Sequence, residues 1–482
     1  MDSIAKEALR RLSEFTTQNL SNTSWAYSAL GCLNVPLLDA LAAQAINTMD
    51  SLCDRDIAAI AWAFATLGLR NLPLLDAIAS AARRTMDEFQ SRCLANTSWA
   101  FATLQYGDFP LFNAISAAAL RKIRGAVPET LEDSALDDFT TNIKALGWAL
   151  NFSGFLTDRL DEDMRATLWS LAEVRDLRLV KRISDHPPPQ PSPLPPRDVF
   201  IAESADPDVP PQILIDLEDV CVVHKPPGWE VDCADVGTGI LLSTFLQQTF
   251  TPLEAPLVHY EEYQFGMVHR LDRVSSGLLL VGKTFVGYHS LNWQLNTGRL
   301  QREYMVLVHG WVNPSLRCID AKVLHIHAEG YKESRVNEQG KPAKTYLTTL
   351  GHYTLDGFEE EQLSIVVIQI CTGRRHQIRT HLCHVGHPTV TDGKYMTREQ
   401  FVRDKQWCER NFLHRYRLGF HDSSGNPHAS TAALPADLRA ALSYLVPADE
   451  ASAAALKEWC DGVEPKAWQV YTGLSENSRA VE

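Results

Sequence analysis

No stretch of this 482-residue chain approaches the roughly 20 consecutive apolar residues that a membrane-spanning helix needs, so a soluble protein without membrane partners is expected. The opening segment, MDSIAKEALRR, lacks the apolar core of a secretory signal. Its Asp2 and Glu7 also sit badly with an acid-poor transit peptide, so no cellular address can be read from it. Ten cysteines are present, but no two of them form a CxxC pair and they do not cluster into a framework. That distribution argues against structural zinc or a secreted disulfide scaffold and suits free thiols in a reducing compartment. A surplus of positive charge is missing as well: 45 Lys and Arg stand against 59 Asp and Glu, a formal net charge of -14. Phosphate binding relies on clustered Lys and Arg, so any nucleic-acid site must be a local basic cleft on an otherwise acidic molecule.

What is present falls into two halves, as the length suggests. Trp25, Trp62 and Trp99 are separated by 37 residues each, and Pro36, Pro73 and Pro110 keep the same interval. A fixed period of this size marks a repeat array. SNTSWAYSALGCLNVPLLDALA, IAAIAWAFATLGLRNLPLLDAIA and ANTSWAFATLQYGDFPLFNAIS each read as helix, proline-containing turn, helix. Leu37, Leu38 and Leu41, then Leu74, Leu75 and Ile78, give the second helix its apolar stripe. A degenerate fourth copy, IKALGWALNFSGF, follows the acidic insertion ETLEDSALDD and carries Trp148. The first residues read as the second helix of a further copy, so the start of the repeat is expected to be missing. One helical pair cannot bury both faces, so the copies should stack into an α-helical solenoid, with the tryptophans expected in its core.

This array is expected over residues 1–180. A proline-rich stretch, DHPPPQPSPLPPRD, can form neither helix nor sheet and predicts an extended linker over 181–212. Beyond it the pattern changes to short strand-like runs: ILIDLEDVCVVHKP, SSGLLLVGKT, REYMVLVHGWV and LSIVVIQICTG. A mixed, strand-rich catalytic domain is expected over 213–450, followed by a tail over 451–482.

The sharpest local string is MVHRLDRVSSGLLLVGKT, residues 267–284. It places Asp272 in a loop leading into an apolar strand, a common setting for a reactive carboxylate held against a rigid element. Alone, Asp272 could equally cap a backbone group, Tyr304 could be an ordinary core residue of its strand, and Arg379 could make a surface ion pair. His376, His381, His384 and His387 look like a metal cluster at first sight. Gly386 and Pro388 interrupt them and no carboxylate stands at a zinc-site spacing, so no metal is expected.

Further strings stand around this one in a fixed order: ILIDLEDVCVVHKPPGW upstream, then REYMVLVHG, TGRRHQIRTHLCHVGHP and LHRYRLGF downstream. Together, over about residues 213–445, they resemble the RluA-type RNA pseudouridine synthases. Five ordered motifs are far more specific than any one of them. The resemblance implies an α+β pseudouridine synthase fold with a mixed, mainly antiparallel sheet, and a cofactor-free isomerase that turns uridine into pseudouridine in structured ribosomal or transfer RNA. It also implies Asp272 as the catalytic carboxylate, Arg379 as its partner and Tyr304 as the aromatic residue over the base. Arg270, His269, Leu382, Arg374, His376 and Gln377 are implied around the substrate, with Arg270 moving toward the helix that a flipped base vacates. Ser275, Arg375, Val306 and the TDGKYM loop depart from the family pattern. The repeat array resembles octotricopeptide repeats, which implies binding of RNA or of a protein partner.

The chemistry asks for such a constellation. Moving the sugar from nitrogen to carbon of the same base requires that the detached base be held and turned without escaping. A carboxylate serves only when ionised, and an arginine favours that form. A phenol stacks on a base and can relay a proton. Two other readings remain open at this point: a scaffold or RNA chaperone that keeps the fold without activity, and a glycosidase-like hydrolase, which would need a second, suitably spaced acid.

Overall fold

The computed structural model describes residues 1–189, 210–231, 240–328, 331–462 and 464–472. The chain divides into two compact units, Met1–Arg175 with Glu338–Lys341, and Asp176–Asn337 with Pro342–Glu482. The linker expected over 181–212 lies mostly outside the described residues; its first five residues close a helix.

The first unit is helical: α1 (Asp2–Arg10), α2 (Thr17–Ala29), α3 (Val35–Asn47), α4 (Asp54–Thr66), α5 (Leu72–Thr85), α6 (Ser91–Thr103), α7 (Phe109–Arg124), α8 (Asp133–Phe152) and the start of α9 (Asp158–Asp185). The 37-residue period is a capping period. Asn34, Asn71 and Asp108 each accept a hydrogen bond from the backbone N–H three residues on, at Leu37, Leu74 and Leu111 (3.1, 3.1 and 2.7 Å). A proline then fills the first turn of α3, α5 and α7, where its missing N–H costs nothing. The expected stripes are buried, and Leu111, Phe112 and Ile115 extend them into α7. Arg84 pairs with Asp50 at 2.6 Å, and one repeat further on Arg121 pairs with Asp87. These are exposed pairs that register neighbouring copies more than they stabilise them.

The tryptophans are not where the repeat logic put them. Trp25 is 54% exposed, and Trp62, Trp99 and Trp148 are only partly buried. The aromatic core positions are Tyr27, Phe64 and Phe101, two residues later and about 200° around the helix. The inward-packing sides of α4 and α6 carry buried Ala58, Ala61, Ala65, Ala95 and Ala102 beside these aromatics. The tryptophans line one face, with the Trp62 and Trp99 ring centroids 6.4 Å apart.

The second unit is built on one mixed sheet. Its strands are β1 (Gln212–Asp216), β2 (Val220–Lys225), β5 (Ser276–Gly282), β6 (Gln301–His309), β7 (Cys318–Asp320), β10 (Lys344–Leu355), β11 (Phe358–Ile370), β12 (Leu413–His421), β13 (Pro427–Thr431) and β14 (Leu445–Pro447). The short pairs β3 (Trp229–Glu230) with β4 (Ile240–Leu241), and β8 (Val323–Ala328) with β9 (Tyr331–Val336), stand apart from it. The order is β1-β2-β5-β12-β6-β11-β10-β14, with β13 on β12 and β7 on β10. Among the described residues of this sheet, only β5 and β12 run parallel. The helices are α10 (Leu242–Thr249), α11 (Phe285–Asn296), α12 (Gln377–His384), α13 (Arg398–Asp404), α14 (Ala436–Leu442), α15 (Glu450–Cys460) and α16 (Trp468–Thr472).

Strand alternation gives the sheet two buried faces. Tyr304, Val306 and Val308 of β6 join Leu271, Ile368, Ile378 and Leu382 on one; Met305 and Leu307 join Val367, Phe412 and Tyr416 on the other. The start of the segment read as a tail packs on this sheet: α15 and α16 bury Trp459 and Trp468 in the second face, and the Trp468 backbone N–H donates to Glu303 at 2.8 Å. Two indoles supply enough apolar surface to hold this segment down.

Candidate active site

Asp272 lies in the loop that leads into β5, and buried groups fix that loop. Lys225, fully buried at the end of β2, donates its Nζ protons to the carbonyls of Pro226, Trp229 and Arg273 (2.9, 3.0 and 3.2 Å). Burial pushes that ammonium well below its usual pKa, and the three carbonyls replace its water. The Ser275 N–H donates to the Asp272 carbonyl at 3.0 Å, closing the turn. The carboxylate itself remains 23% exposed, so one side of it faces open space.

Arg379, in the first turn of α12, donates through Nη1 to Asp272 Oδ2 at 2.6 Å. Its other edge is taken by Asp392, which accepts from Nε at 2.7 Å and Nη2 at 2.6 Å. Asp392 is buried and also accepts from Thr389 Oγ1 and from the N–H groups of Lys394 and Tyr395 (3.0, 3.0 and 3.2 Å). Tyr395 lies beneath the Arg379 guanidinium at 5.1 Å. Burial would raise the Asp272 pKa, but the Arg379 charge and hydrogen bond outweigh it and hold the carboxyl below its ordinary value.

His376 has a left-handed backbone (φ 53°) at the N-terminus of α12. Its Nδ1 lies 2.8 Å from Tyr395 Oη and its Nε2 3.8 Å from Asp272 Oδ1. Burial lowers its pKa to about 4, so the ring is neutral at pH 7 and Arg379 carries the effect on Asp272.

Tyr304 faces the same side of the sheet, directly across from Arg415 of β12. Arg415 Nε donates to Tyr304 Oη at 2.9 Å, and Nη2 donates to the same oxygen. The remaining donors of Arg415 reach His269 Nδ1 (2.7 Å), the Leu278 carbonyl (2.9 Å) and the Arg270 carbonyl (3.3 Å). Tyr304 is thereby tied, through Arg415, to the backbone two residues before Asp272. Gly277 makes the junction of β5 and β12 feasible: its φ is 125°, and a Cβ there would lie 2.2 Å from the Arg415 carbonyl.

The remaining expected residues divide. Arg270 is exposed on the loop. Arg374, partly buried, donates to the Pro342 carbonyl at 3.0 Å. Three make bonds or contacts inside the protein. His269 is pushed well below the usual histidine pKa by burial and by Arg415, so it accepts as a neutral ring. Gln377 is buried, bonded to Thr372, the Arg374 N–H, the Lys344 carbonyl and Thr345. Leu382 is fully buried in the first sheet face. The four histidines do not converge: His381 reaches Thr345 and the Ala321 carbonyl, His387 the His309 carbonyl, and His384 is exposed.

Sequence reasoning missed Lys225, Asp392, Tyr395 and Arg415. Asp392 and Tyr395 lie in TDGKYM, read only as an altered loop. Arg415 had a partial signal: it alternates with inward-facing Leu413, which puts a charged residue on the buried face of its strand without saying what it meets there. The acidic net charge is also answered locally. Lys394 is depressed by burial and by the neighbouring charges of Arg375 and Arg379, and Arg270 acts on Asp272, so positive groups crowd this loop region.

Residues 219–384 match the RNA pseudouridylate synthase family. Ribosomal large subunit pseudouridine synthase C of Haemophilus influenzae is 32% identical over 243 residues, covering 48% of this chain and 68% of the relative. Ribosomal large subunit pseudouridine synthase D of Neisseria meningitidis is 33% identical over 241 residues, covering 48% and 60%. The solved human RNA pseudouridylate synthase domain containing 1 shares 24% identity, with a TM-score of 0.38 over 49% of this chain and 89% of that one. The human domain containing 4 protein shares 18%, with a TM-score of 0.37 over 52% and 96%. Residues 1–125 match the RNA-editing substrate-binding complex 6 protein family.

The mixed-sheet unit and its motifs are those of an isomerase acting on RNA. The chain belongs to the RNA pseudouridylate synthase family.

Proposed function

We propose that this chain converts uridine to pseudouridine in structured ribosomal or transfer RNA, with large-subunit ribosomal RNA favoured by the names of its relatives. The observation that carries the assignment of roles is the 2.6 Å contact between Arg379 and Asp272, with Arg379 clamped from behind by Asp392. In this reading Asp272 is the catalytic carboxylate that acts on the sugar when the N1–C1′ bond breaks. Arg379 keeps it ionised where water is excluded. Tyr304 lies against the detached base and takes the C5 proton once carbon has replaced nitrogen at C1′. Arg270, Arg374 and Lys394 meet the phosphates, and the flipped nucleotide costs a few kcal/mol that such contacts offset.

Hydrolysis is disfavoured because, among the described residues, the acid that shares Arg379 with Asp272 has no free oxygen. Both Asp392 oxygens are committed to Arg379 and to loop donors, leaving none to activate water. The repeat array brings RNA or a protein partner to the enzyme, the former supported by its likeness to the RNA-editing substrate-binding complex 6 protein and by Arg55 one heptad before Trp62 on a partly open face.

Chemical mapping of pseudouridine in RNA incubated with the protein tests the proposal. Asp272→Asn should abolish product and keep RNA binding. Pseudouridine made by that variant, or free uracil made by the parent, would defeat it.

A further inference from the structure

Arg415 is 2% exposed, and all five of its N–H groups are used inside the protein. Two go to Tyr304 Oη, and one each to His269 Nδ1, the Leu278 carbonyl and the Arg270 carbonyl. Every acceptor is neutral, and no carboxylate is among them. Its guanidinium carbon also lies 4.9 Å over the Tyr304 ring. Arg302, on the same face of β6 as Tyr304, is a second buried cation; it donates to the carbonyls of Ile370 and Cys371 (3.3 and 3.0 Å). Among the described residues neither of these buried guanidinium groups has a carboxylate partner, which leaves their surroundings short of negative charge. Burying an uncompensated charge is costly, and arrangements of this kind stabilise charge that develops during a reaction. With its donors spent, Arg415 has none to offer a substrate, so its effect must pass through the one acceptor that changes charge in the cycle, the phenol oxygen.

We infer that Arg415 is a positioning residue for the last chemical step: it fixes Tyr304 Oη and stabilises the negative oxygen that removes the C5 proton. This rests on the proposed role of Tyr304. In that step, with C5 joined to C1′ and C6 doubly bonded to N1, the phenolate takes the proton from C5, the C–H electron pair re-forms the C5–C6 double bond, and the π pair of the C6=N1 bond moves to N1, which is protonated. The proton lost from the phenol and the one gained by N1 exchange with water, so uridine and pseudouridine balance atom for atom. The earlier breaking of the N1–C1′ bond does not involve Arg415.

The test uses the full chain on an unmodified large-subunit ribosomal RNA transcript made with uridine or with 5-fluorouridine, in which C5 carries no proton to remove. Arg415→Met should lower kcat on uridine about 100-fold, the scale of losing one preorganised donor to a developing oxyanion, with KM changed less than twofold. The same variant should break the N1–C1′ bond of 5-fluorouridine at the parent rate, and Arg415→Lys should recover about tenfold of the loss on uridine. Tyr304→Phe combined with Arg415→Met should cost no more than Tyr304→Phe alone. Equal losses on both substrates, with no recovery by lysine, would show a merely structural tie and overturn the inference; so would a parent-like kcat on uridine. If Arg415→Met does not fold, the ratio of uridine to 5-fluorouridine rates in Arg415→Lys decides: a lower ratio than the parent supports the inference and an unchanged one overturns it. No pseudouridine from the parent would count against the functional reading itself, and the inference would fall with it.

Discussion

Asp392 grips the far edge of Arg379 through two hydrogen bonds of 2.7 and 2.6 Å, so that the remaining nitrogen, Nη1, is aimed at Asp272. A guanidinium has a rigid planar fork, and fixing two of its donors fixes the third. The position of the guanidinium beside the proposed catalytic carboxylate is thus set by a buried residue.

Asp392→Asn keeps the shape but removes the charge. Breaking a buried, hydrogen-bonded ion pair costs about 3–5 kcal/mol, and a guanidinium displaced by about an ångström can lower turnover about 100-fold. Denaturant unfolding and pseudouridine formation should both register the change, with RNA affinity held. Turnover like the parent's would show that Arg379 needs no such anchor.

The acid side of the activity profile follows from Asp272. Its pKa in the folded protein is below the ordinary 3.8, so the carboxylate is charged, and its ion pair contributes stability, at every pH above about 3.8. Both are lost only as pH falls through the lower, folded value. His376, neutral above about 4, gains its charge in the same acid range. Turnover measured on a substrate stable to mild acid should therefore be level from pH 7 down to about 5. In Arg379→Met the burial that raises the Asp272 pKa loses its main opposition, with the weaker pull of Arg270 remaining, and the acid limb should move up toward neutrality. An unshifted limb would mean that Arg379 does not control this carboxylate.

Gly277→Ala places a methyl group 2.2 Å from the Arg415 carbonyl at a φ of 125°. Backbone strain of this kind costs about 1–3 kcal/mol, with steric displacement of β12 added to it. The melting temperature and turnover should fall together, because the strand that shifts carries Arg415. A variant melting within a degree of the parent would rule out the close approach of β5 to β12.

In the repeat array, Phe64→Ala and Trp62→Ala should part company although they lie two residues apart. Removing the buried phenylalanine should cost about 3–5 kcal/mol. Removing the partly open tryptophan should cost much less stability but weaken single-stranded RNA binding by about 1–3 kcal/mol, the worth of one stacked base. Full RNA affinity in Trp62→Ala would turn the proposed role of this face toward a protein partner.

Much was legible in the linear chain because it depends on short-range regularities. The 37-residue period, its prolines, and the apolar stripes from Leu37 to Ile78 are local, and side-chain spacing dictates helices whatever lies elsewhere. Asp272, Tyr304 and Arg379 could be named because each stands inside a compact string. The facing of Trp25, Trp62 and Trp99 could not be read, since both the tryptophan and the aromatic two positions later suit a core, and only the packing of neighbouring helices chooses between them. The same holds for the site: Asp392 meets Arg379 and Arg415 meets Tyr304 only because β12 lies beside β6 and the loop after α12 folds back. A guanidinium says nothing in sequence about which oxygen it will serve; that is settled by which strands become neighbours, a matter of long-range packing.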